Sequence, residues 1–349
     1  AHTYECSLGL IYIFSTGGTV TYLEKPPTPS VLMPALRKAR PTAFLIVPLI
    51  IEKIYRSQIL AKFTSNAFWR ALYNTAFTRR YLHRIAGKKL NKVFGGRARL
   101  FIGGAKLDEQ VEQFLQEAKI PYAIGYGLTE TAPLVAGQIS PAVKLGATGP
   151  AMKGVEVRLD NINPETKQGE IVVKSPSVMQ GYYKNPEATA EVFTEDGWFR
   201  TGDLGYIDED GYIFIKGRLK NMIVGPSGEN IYPEDIEEVL NSNRFVAESV
   251  VTEEDGKLIA LVHFDTSALE EYYDEFKHKM AVSKEQLSLK MEEVKRDVME
   301  YVNSKVNRFS KITKVVDNEG EFEKTPTKKI RRFIYDRSNK QQTEQSEQS

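Results

Sequence analysis

The stretch from residue 99 to residue 131, RLFIGGAKLDEQVEQFLQEAKIPYAIGYGLTET, decides the fold class. It begins with a short apolar run at residues 99–102 that is typical of a strand, and a second such run follows at residues 121–124. Between them Val111, Phe114 and Leu115 fall on one face of a predicted helix, because they are spaced three and four residues apart. Strand, helix and strand together predict a parallel α/β unit, in which ligands bind beyond the carboxyl ends of the strands.

The rest of the chain shows two other patterns. From residue 147 to residue 217 apolar and polar residues alternate, and Asp210-Gly211 is a strong hairpin turn, so this part is predicted to be a β-rich, barrel-like module. Beyond it Pro233 opens a helix, strands are expected at about 248–252 and 257–264, and a long amphipathic helix follows. This last pattern predicts a small α+β domain.

Composition excludes several classes of protein. The 349 residues carry 47 Lys plus Arg and 46 Asp plus Glu, and a net charge of +1 provides no general field for nucleic acid. A single cysteine, Cys6, cannot form an internal disulfide and indicates a reducing compartment. The longest apolar run, residues 44–51, contains Pro48 and is far shorter than the ~20 residues that a spanning helix needs. We therefore expect a cytoplasmic protein with no membrane-spanning helix.

The loop YGLTET at residues 126–131 follows the second strand of the α/β unit. Tyr126 offers a flat ring, Gly127 permits close approach, and Thr129 and Glu130 offer a hydroxyl and a carboxylate. These groups suit stacking on a base, contact with a phosphate and binding of Mg²⁺, which takes one or two carboxylates and keeps several waters. The alternative is an ordinary connection between two elements.

Three further motifs each have a functional and a structural interpretation. In TGD at residues 201–203, Asp203 can accept hydrogen bonds from both hydroxyls of a ribose, or can simply form a turn. GRLKN at residues 217–221 is a basic junction between two predicted domains, either a hinge or an ion-paired surface. TPTKKIRR at residues 325–332 is either a solvated basic segment or the carrier of a lysine that reaches a phosphate.

Two other segments also have alternative interpretations. STGGT at residues 15–19 has the composition of a phosphate loop but lacks the following lysine, so we predict a helix-to-strand turn with residues 20–23 continuing as a strand. The stretch 66–93 is predicted to be an amphipathic helical excursion, which is either a solvated basic face or a peripheral contact with anionic lipid. Its apolar and basic residues are Phe68, Leu72, Tyr81, Ile85, Arg79, Arg80, Arg84, Lys88 and Lys89.

In their order and spacing the four motifs resemble the AMP-forming acyl-CoA synthetases, the superfamily that also holds firefly luciferase and peptide-synthetase adenylation domains. The Gly103-Gly104-Ala105 turn and the GEI strand at residues 169–171 stand in the same order. The resemblance extends from residue 1 to about residue 334, and residues 1–5 and 51–97 are similar to the long-chain fatty acid branch.

The resemblance implies a domain organisation. Residues 1–146 and 147–217 are then the α/β and β-rich parts of the carboxyl-terminal portion of a large adenylation domain. Residues 218–220 are a hinge and residues 221–334 a small, mobile α+β domain, followed by a disordered tail at 335–349, whose last nine residues include no apolar one.

The resemblance also implies a reaction in two steps. The carboxylate of a long-chain fatty acid attacks the α-phosphorus of ATP to give acyl-AMP and pyrophosphate, and the thiol of coenzyme A then displaces AMP. The residues implied in nucleotide binding are Tyr126 stacked on adenine, Gly104 and Ala105 on the other side of the ring, Gly127, Thr129 at a phosphate, Glu130 at Mg²⁺, and Asp203 and Arg218 at the ribose.

Other roles are implied near the two ends of the chain. Lys329 matches the catalytic lysine that bridges carboxylate and phosphate, with Lys328 as the alternative. Lys220 matches the hinge residue, Gly228 borders the channel for the pantetheine arm of coenzyme A, and His2 lies near the acyl pocket.

One part of the family pattern is missing from the sequence. A Ser/Thr/Gly-rich loop ending in Pro-Lys-Gly, which wraps the β and γ phosphates, precedes His2 in relatives. The chain is therefore expected to be the carboxyl-terminal part of a longer enzyme and to be inactive by itself. Two alternatives remain open: a synthetase for another carboxylic acid or for a carrier protein, and a non-catalytic nucleotide-binding fragment.

Overall fold

The computed structural model describes residues 3–24, 29–225, 229–277, 284–325 and 330–337. The chain divides into two compact units, Ala1–Ile215 and Lys216–Ser349. Each unit is described separately below.

The first unit begins with a four-stranded sheet of order β1-β2-β3-β4. The strands are β1 (Ala43–Ile46), β2 (Arg99–Ile102), β3 (Tyr122–Tyr126) and β4 (Ala136–Ile139). The first three are parallel and β4 is antiparallel to β3. The predicted strands at 99–102 and 121–124 are confirmed. Because β1, β2 and β3 run in the same direction, the loops that begin at Val47, Gly103 and Gly127 leave the sheet at one edge.

Helices surround this sheet. They are a π-helix over Glu5–Tyr12, α1 (Ile13–Ser15), α2 (Pro29–Ala39), α3 (Pro48–Ile54), a π-helical turn over Tyr55–Leu60, α4 (Ala61–Thr64), α5 (Ala67–Asn74), α6 (Ala76–Val93) and α7 (Glu109–Glu117). In α7 the predicted apolar face is confirmed, since Val111, Phe114 and Leu115 are fully buried in the core that also contains β2. The Asp108 carboxylate caps this helix by accepting two backbone hydrogen bonds of its first turn.

The β-rich module is a five-stranded sheet of order β5-β9-β8-β7-β6. Its strands are β5 (Gly149–Pro150), β6 (Glu156–Asp160), β7 (Gly169–Lys174), β8 (Phe199–Ile207) and β9 (Tyr212–Arg218), with α8 (Pro186–Glu191) between β7 and β8. The hairpin at Asp210-Gly211 is confirmed, and Gly211 has the positive φ (79°) that such turns favour. The predicted barrel-like module is thus built on an open sheet, with β5 and β6 at its two edges.

The second unit is an α+β domain. A two-stranded sheet joins β10 (Ile223–Val224) and β11 (Asn230–Ile231), and a three-stranded sheet joins β12 (Val246–Glu254), β13 (Lys257–Phe264) and β14 (Lys314–Asp317). The helices are α9 (Pro233–Asn241), α10 (Thr266–Lys277) and α11 (Lys284–Asn303). Val294, Val298 and Val302 of α11 form a buried stripe in the core of this unit, so the predicted amphipathic helix is confirmed.

Two local predictions are wrong. The turn after α1 forms as expected, with the Gly18 N–H donating to the Ile13 carbonyl at 2.8 Å, but residues 20–23 are irregular and mostly exposed because no neighbouring strand pairs with them among the described residues. The predicted tail also begins too early. Tyr335 packs edge-on against Phe322, and Arg337 forms an ion pair with Glu254 at 2.9 Å, whereas residues 338–349 lie outside the described residues.

Candidate functional site

Several predicted nucleotide-binding residues lie at the carboxyl edge of the parallel sheet. Gly104 and Ala105 follow β2 and are exposed, and Tyr126 ends the neighbouring strand β3. Gly104 has a φ of +94°, a conformation that favours glycine. A side chain there would meet only open space, with Val47 Cγ1 at 4.0 Å as its nearest neighbour. The backbone conformation, rather than crowding within the protein, therefore explains the glycine at 104.

Tyr126 and Asp203 are in direct contact, although 77 residues separate them. The Tyr126 hydroxyl donates a hydrogen bond to Asp203 Oδ2 at 2.8 Å. Both side chains are buried, with 9% and 5% of their surfaces exposed. Since Tyr126 ends β3 and Asp203 lies on β8, the bond connects the parallel sheet to the β-rich module. The sequence suggested that both residues contact a nucleotide, but it contained no sign that they contact each other.

Thr201 fixes the position of Asp203. The Thr201 hydroxyl donates to the Ile171 carbonyl at 2.7 Å and accepts from the backbone N–H of Asp203 at 3.0 Å. A carboxylate has about four acceptor positions on its two oxygens, so one such side chain can accept hydrogen bonds from several donors. The arrangement can therefore offer an anchored carboxylate to a vicinal diol such as a ribose.

Gly127 is required by the fold of the chain itself. A Cβ atom at this position would lie 1.6 Å from the Pro133 carbonyl oxygen, a distance that no side chain tolerates. The close approach inferred from the sequence is thus real, but the approaching group is the backbone of Pro133, six residues downstream. A role of Gly127 in nucleotide binding stays a prediction.

Thr129 and Glu130 lie in a 3₁₀ turn over Thr129–Thr131. Thr129 is exposed, and its hydroxyl lies 3.4 Å from that of Thr3. The Glu130 carbonyl accepts from the Met179 N–H at 2.8 Å, which ties the turn to the β-rich module. The Glu130 side chain is half-buried and accepts a hydrogen bond at Oε1 from the Tyr182 hydroxyl at 3.1 Å. The turn therefore presents a hydroxyl and an oriented carboxylate next to Tyr126.

Tyr182 was missed by the sequence reasoning. It belongs to the segment QGYYKN at residues 180–185, which contains two consecutive tyrosines and shows no clear period. No local signal relates position 182 to position 130, because the contact depends on how the β-rich module packs on the parallel sheet. The neighbouring Tyr183 is 87% exposed, compared with 37% for Tyr182.

The carboxylate of Glu130 suits one kind of metal binding. Within the described ranges, no cluster of three or more His, Cys, Asp or Glu side chains is placed to hold an ion. Mg²⁺ in nucleotide sites commonly takes only one or two protein carboxylates and completes its shell with phosphates and water. Glu130 offers oxygen ligands of this kind, so its chemistry fits Mg²⁺ delivered together with a nucleotide.

A family model described as AMP-binding enzyme matches residues 1–183. The chain belongs to the AMP-binding enzymes. It is 33% identical over 260 residues to a long-chain-fatty-acid–CoA ligase of Mycobacterium bovis, covering 68% of this chain and 42% of the ligase. It is 34% identical over 200 residues to a chloroplastic long-chain-fatty-acid–[acyl-carrier-protein] ligase of Arabidopsis thaliana, covering 52% of this chain and 28% of that protein. The chain thus spans about two fifths of the length of the Mycobacterium ligase and less than a third of the length of the Arabidopsis ligase.

The fold has solved counterparts among AMP-binding enzymes. The o-succinylbenzoate CoA synthetase of Bacillus subtilis, solved with its acyl-adenylate intermediate, superposes with a TM-score of 0.68 at 22% identity. The superposition covers 96% of this chain and 58% of that enzyme. The predicted fold class, the carboxyl-terminal part of an adenylation domain followed by an α+β domain, is confirmed, as is the resemblance to adenylate-forming acyl-CoA synthetases.

The second unit of this AMP-binding enzyme carries the other predicted residues. Arg218 ends β9, and Lys220 lies in the 3₁₀ turn Leu219–Asn221; both are exposed. Asn221 beside them donates to the Glu234 carboxylate at 2.5 Å. His2, Gly228, Lys328 and Lys329 lie outside the described residues, so their predicted roles stay predictions.

The residues that flank Lys328 and Lys329 are firmly held. Lys324 pairs with Ile330 through an antiparallel bridge and forms an ion pair with Glu248 at 2.7 Å. Arg332 forms an ion pair with Glu237 at the buried face of α9. Burial raises the pKa of Glu237 to about 7, and the Arg332 guanidinium opposes that rise. The described residues on either side of Lys328 and Lys329 are therefore anchored to the second unit.

Proposed function

We propose that the protein containing this chain activates a long-chain fatty acid by adenylation and transfers the acyl group to coenzyme A. The observation that carries the proposal is the buried Tyr126–Asp203 pair at the carboxyl edge of the parallel sheet, within the fold of an AMP-binding enzyme. An aromatic ring and an anchored carboxylate at such an edge are the groups that an adenosine needs, since one can stack on the base and the other can accept from the ribose hydroxyls.

The roles of the first-unit residues follow from this placement. Tyr126 and Asp203 bind adenosine, with Gly104 and Ala105 on the opposite side of the base. Thr129 donates to a phosphate oxygen. Glu130 would hold the Mg²⁺ that accompanies ATP, which would supply positive charge to the phosphates, and Tyr182 orients the Glu130 carboxylate.

The second unit supplies the remaining roles in this proposal. Arg218 contacts the ribose, Lys220 is the hinge between the large part (1–146 and 147–217) and the small domain (221–334), and Lys329 meets the reacting carboxylate and phosphate. A lysine there stabilises negative charge that develops as the phosphorus is attacked. Gly228 and His2 border the pantetheine channel and the acyl pocket.

The acyl substrate and its acceptor are the finer parts of the proposal. The relative from Mycobacterium, named for long-chain fatty acids and coenzyme A, supports both parts. The relative from Arabidopsis, named for an acyl-carrier protein, supports the same acid but another acceptor. Transfer to a carrier protein is therefore the second candidate function.

The experiment that tests the proposal compares substrates in the full-length protein. AMP release should depend on palmitate and coenzyme A, and should be much slower with acetate, with benzoate, or with an acyl-carrier protein as acceptor. Faster release with the carrier protein would establish the second candidate. Equal rates with all acids, or no AMP release with any acid, would refute the assignment of a long-chain ligase.

Single-lysine variants test the role of Lys329. In the full-length protein Lys329→Ala should slow fatty-acid-dependent ATP–pyrophosphate exchange by ~10²-fold or more, because it removes a charge directed at the transition state. Thioester formation from preformed acyl-AMP should persist. Lys328→Ala is the matched control; if it alone abolishes exchange, the two lysines exchange roles. Lys220→Pro, which stiffens the hinge, should show the reverse pattern and impair only thioester formation.

A further inference from the structure

Although the net charge of the whole chain is near zero, its charged residues are unevenly distributed along the sequence. Residues 31–107 contain sixteen Lys and Arg but only one acidic residue, Glu52. The remainder of the chain is consequently acidic overall. The stretch 66–93, which forms α5 and α6, contains seven of these basic residues and no Asp or Glu. Such a region produces a local positive field even though the whole protein has almost none.

Large apolar side chains project from the same two helices. Phe77 is 82% exposed, Tyr81 64% and Ile85 40%, and these residues recur every fourth position on one face of α6. Phe68 of α5 is 67% exposed. Single exposed apolar residues are common on protein surfaces, but three along one stripe of a helix form a continuous apolar strip.

Basic residues flank this strip on the same face. Arg80, Arg84 and Lys88 are exposed and alternate with the apolar positions, and 65% of the Arg80 side chain is accessible. We call the face formed by Phe77, Arg80, Tyr81, Arg84, Ile85 and Lys88 the α6 platform.

The opposite face of α6 explains why the platform points outward. His83 is buried, and its Nδ1 lies 2.7 Å from Glu117 of α7. Arg79 donates to both oxygens of the same carboxylate at 3.0 and 3.3 Å. Arg79 therefore points inward to Glu117, with 23% of its side chain exposed, and the partly buried Leu72 packs against the core. The sequence alone places both in the amphipathic stretch 66–93 and does not separate its inward from its outward residues.

We propose that the α6 platform docks on the surface of a bilayer that contains anionic lipid. A helix lying in the interface inserts apolar side chains ~5–10 Å and places its basic residues at the headgroups. Phe77, Tyr81 and Ile85 supply the first part of this arrangement, and the three alternating cations supply the second. The aliphatic Ile85 and the exposed phenyl rings gain from hydrocarbon but have little to gain from a solvated nucleic acid. This inference does not depend on the proposed enzymatic function.

The geometry implies peripheral binding. Along the parts of the chain that the structure describes, no helix is both long and apolar enough to cross a membrane. On α6 itself, His83, Arg79 and the buried Leu82 occupy the inward face, so only the platform can contact lipid. Each exposed cation near an anionic surface strengthens binding by roughly fivefold at moderate salt.

Vesicle co-sedimentation with the full chain tests the proposal. The protein should bind vesicles of equal parts phosphatidylcholine and phosphatidylglycerol, and should bind phosphatidylcholine vesicles far more weakly. The triple variant Arg80→Gln, Arg84→Gln, Lys88→Gln should weaken binding by ~100-fold. A matched triple variant on exposed lysines of the β-rich module, Lys153→Gln, Lys167→Gln, Lys184→Gln, removes the same charge elsewhere and should change binding by only a few fold.

Apolar insertion has its own readout. Phe77→Ser should reduce the binding that survives at high salt, where the charges are screened, and circular dichroism should show an unchanged helix content. Equal binding to both kinds of vesicle, no binding to anionic vesicles, or equal losses in the two triple variants would each overturn the proposal. So would tighter binding to a polyanionic oligonucleotide than to the anionic vesicles.

Discussion

The sheet edge around Tyr126 and the α6 platform belong to the same compact unit, yet they hold their candidate functional groups in opposite ways. At the sheet edge the groups contact one another: the Tyr126 hydroxyl donates to Asp203, and the Thr201 hydroxyl accepts from the Asp203 backbone N–H. On the platform, Phe77 extends into solvent, and Arg80 is mostly exposed although its Nε lies 3.8 Å from Glu117; the closer partners that fix the helix lie on its other face.

This difference predicts how function and stability are linked in each region. Where candidate ligands are buried and bonded to each other, removing one disturbs both the site and the fold. Where they are exposed, removing one affects only what it contacts outside the protein. Variants at Tyr126, at Arg79 and Arg80, at His83 and at Tyr182 test this distinction.

Truncation of Tyr126 should damage stability and nucleotide binding together. Tyr126→Ala empties a buried ring position and should lower the free energy of unfolding by ~3–5 kcal/mol. AMP binding by calorimetry should weaken at least ~10-fold, since stacking of a base on an aromatic ring is worth ~1–3 kcal/mol.

The matched control for this truncation is Tyr126→Phe. It keeps the ring and removes only the hydrogen bond to Asp203, for a cost of about 1–2 kcal/mol. If Tyr126→Ala leaves AMP affinity intact while Tyr126→Phe lowers it, the ring does not contact the base and the proposed geometry is wrong.

Arg79 and Arg80 are adjacent on α6, yet substitution of the first should affect stability and substitution of the second should affect vesicle binding. Arg79→Gln removes a bidentate partner from the nearly buried Glu117 carboxylate and should destabilise the first unit by about 2 kcal/mol, with little effect on vesicle binding. Arg80→Gln removes only a long, mostly exposed contact, since Arg80 Nε lies 3.8 Å from Glu117 and 65% of the side chain is accessible. It should change stability by no more than about 0.5 kcal/mol but should weaken vesicle binding.

Tryptophan fluorescence during urea unfolding suits this comparison, because both tryptophans of the chain, Trp69 and Trp198, lie in the first unit. Equal destabilisation by the two substitutions would show that Arg80 stabilises the Glu117 carboxylate as much as Arg79 does, and the inward and outward division of α6 would fail.

Sequence reasoning could predict the elements and motifs because their signals are local. The run of apolar residues at 99–102, the spacing of Val111 and Leu115, and the Asp210-Gly211 turn each depend on a few neighbouring residues. The Tyr126–Asp203 and Glu130–Tyr182 contacts join residues 77 and 52 positions apart, and they arise only when the β-rich module packs on the sheet. The inward direction of Arg79 was equally hidden, because Arg79 and Arg80 differ only in their angle around α6.

Acidification should weaken the packing behind the platform. Burial lowers the pKa of His83 below its ordinary value, although Glu117 acts in the opposite direction. In the unfolded chain the imidazole binds a proton at a higher pH than in the native state, so stability is present above ~6.5 and is lost as pH falls through the native pKa.

Urea unfolding between about pH 8 and pH 5.5 measures this loss. The variant His83→Gln stays neutral throughout and should flatten the pH dependence of tryptophan-detected stability, whereas His263→Gln in the second unit should not. A wild-type protein whose first unit is as stable at the acidic end as at the neutral end would contradict the assignment of a neutral, buried His83.

The smallest expected effect concerns Tyr182, which is partly exposed like the platform residues but hydrogen-bonded to a candidate ligand like the residues at the sheet edge. Its ring is 37% exposed, so Tyr182→Phe should leave the free energy of unfolding almost unchanged, yet its hydroxyl orients the carboxylate that we assign to the metal. A partly exposed hydrogen bond to a charged group contributes about 1 kcal/mol, which corresponds to roughly fivefold in affinity.

Electron paramagnetic resonance of Mn²⁺ with ATP and the full-length protein should show that fivefold loss of Mn²⁺ affinity in Tyr182→Phe and no loss in Tyr183→Phe, whose ring is 87% exposed. Glu130→Gln distinguishes metal binding by Glu130 from orientation of Glu130 by Tyr182. If it weakens Mn²⁺ binding and Tyr182→Phe does not, Glu130 is oriented by other groups; if neither changes the affinity, Glu130 does not hold the metal.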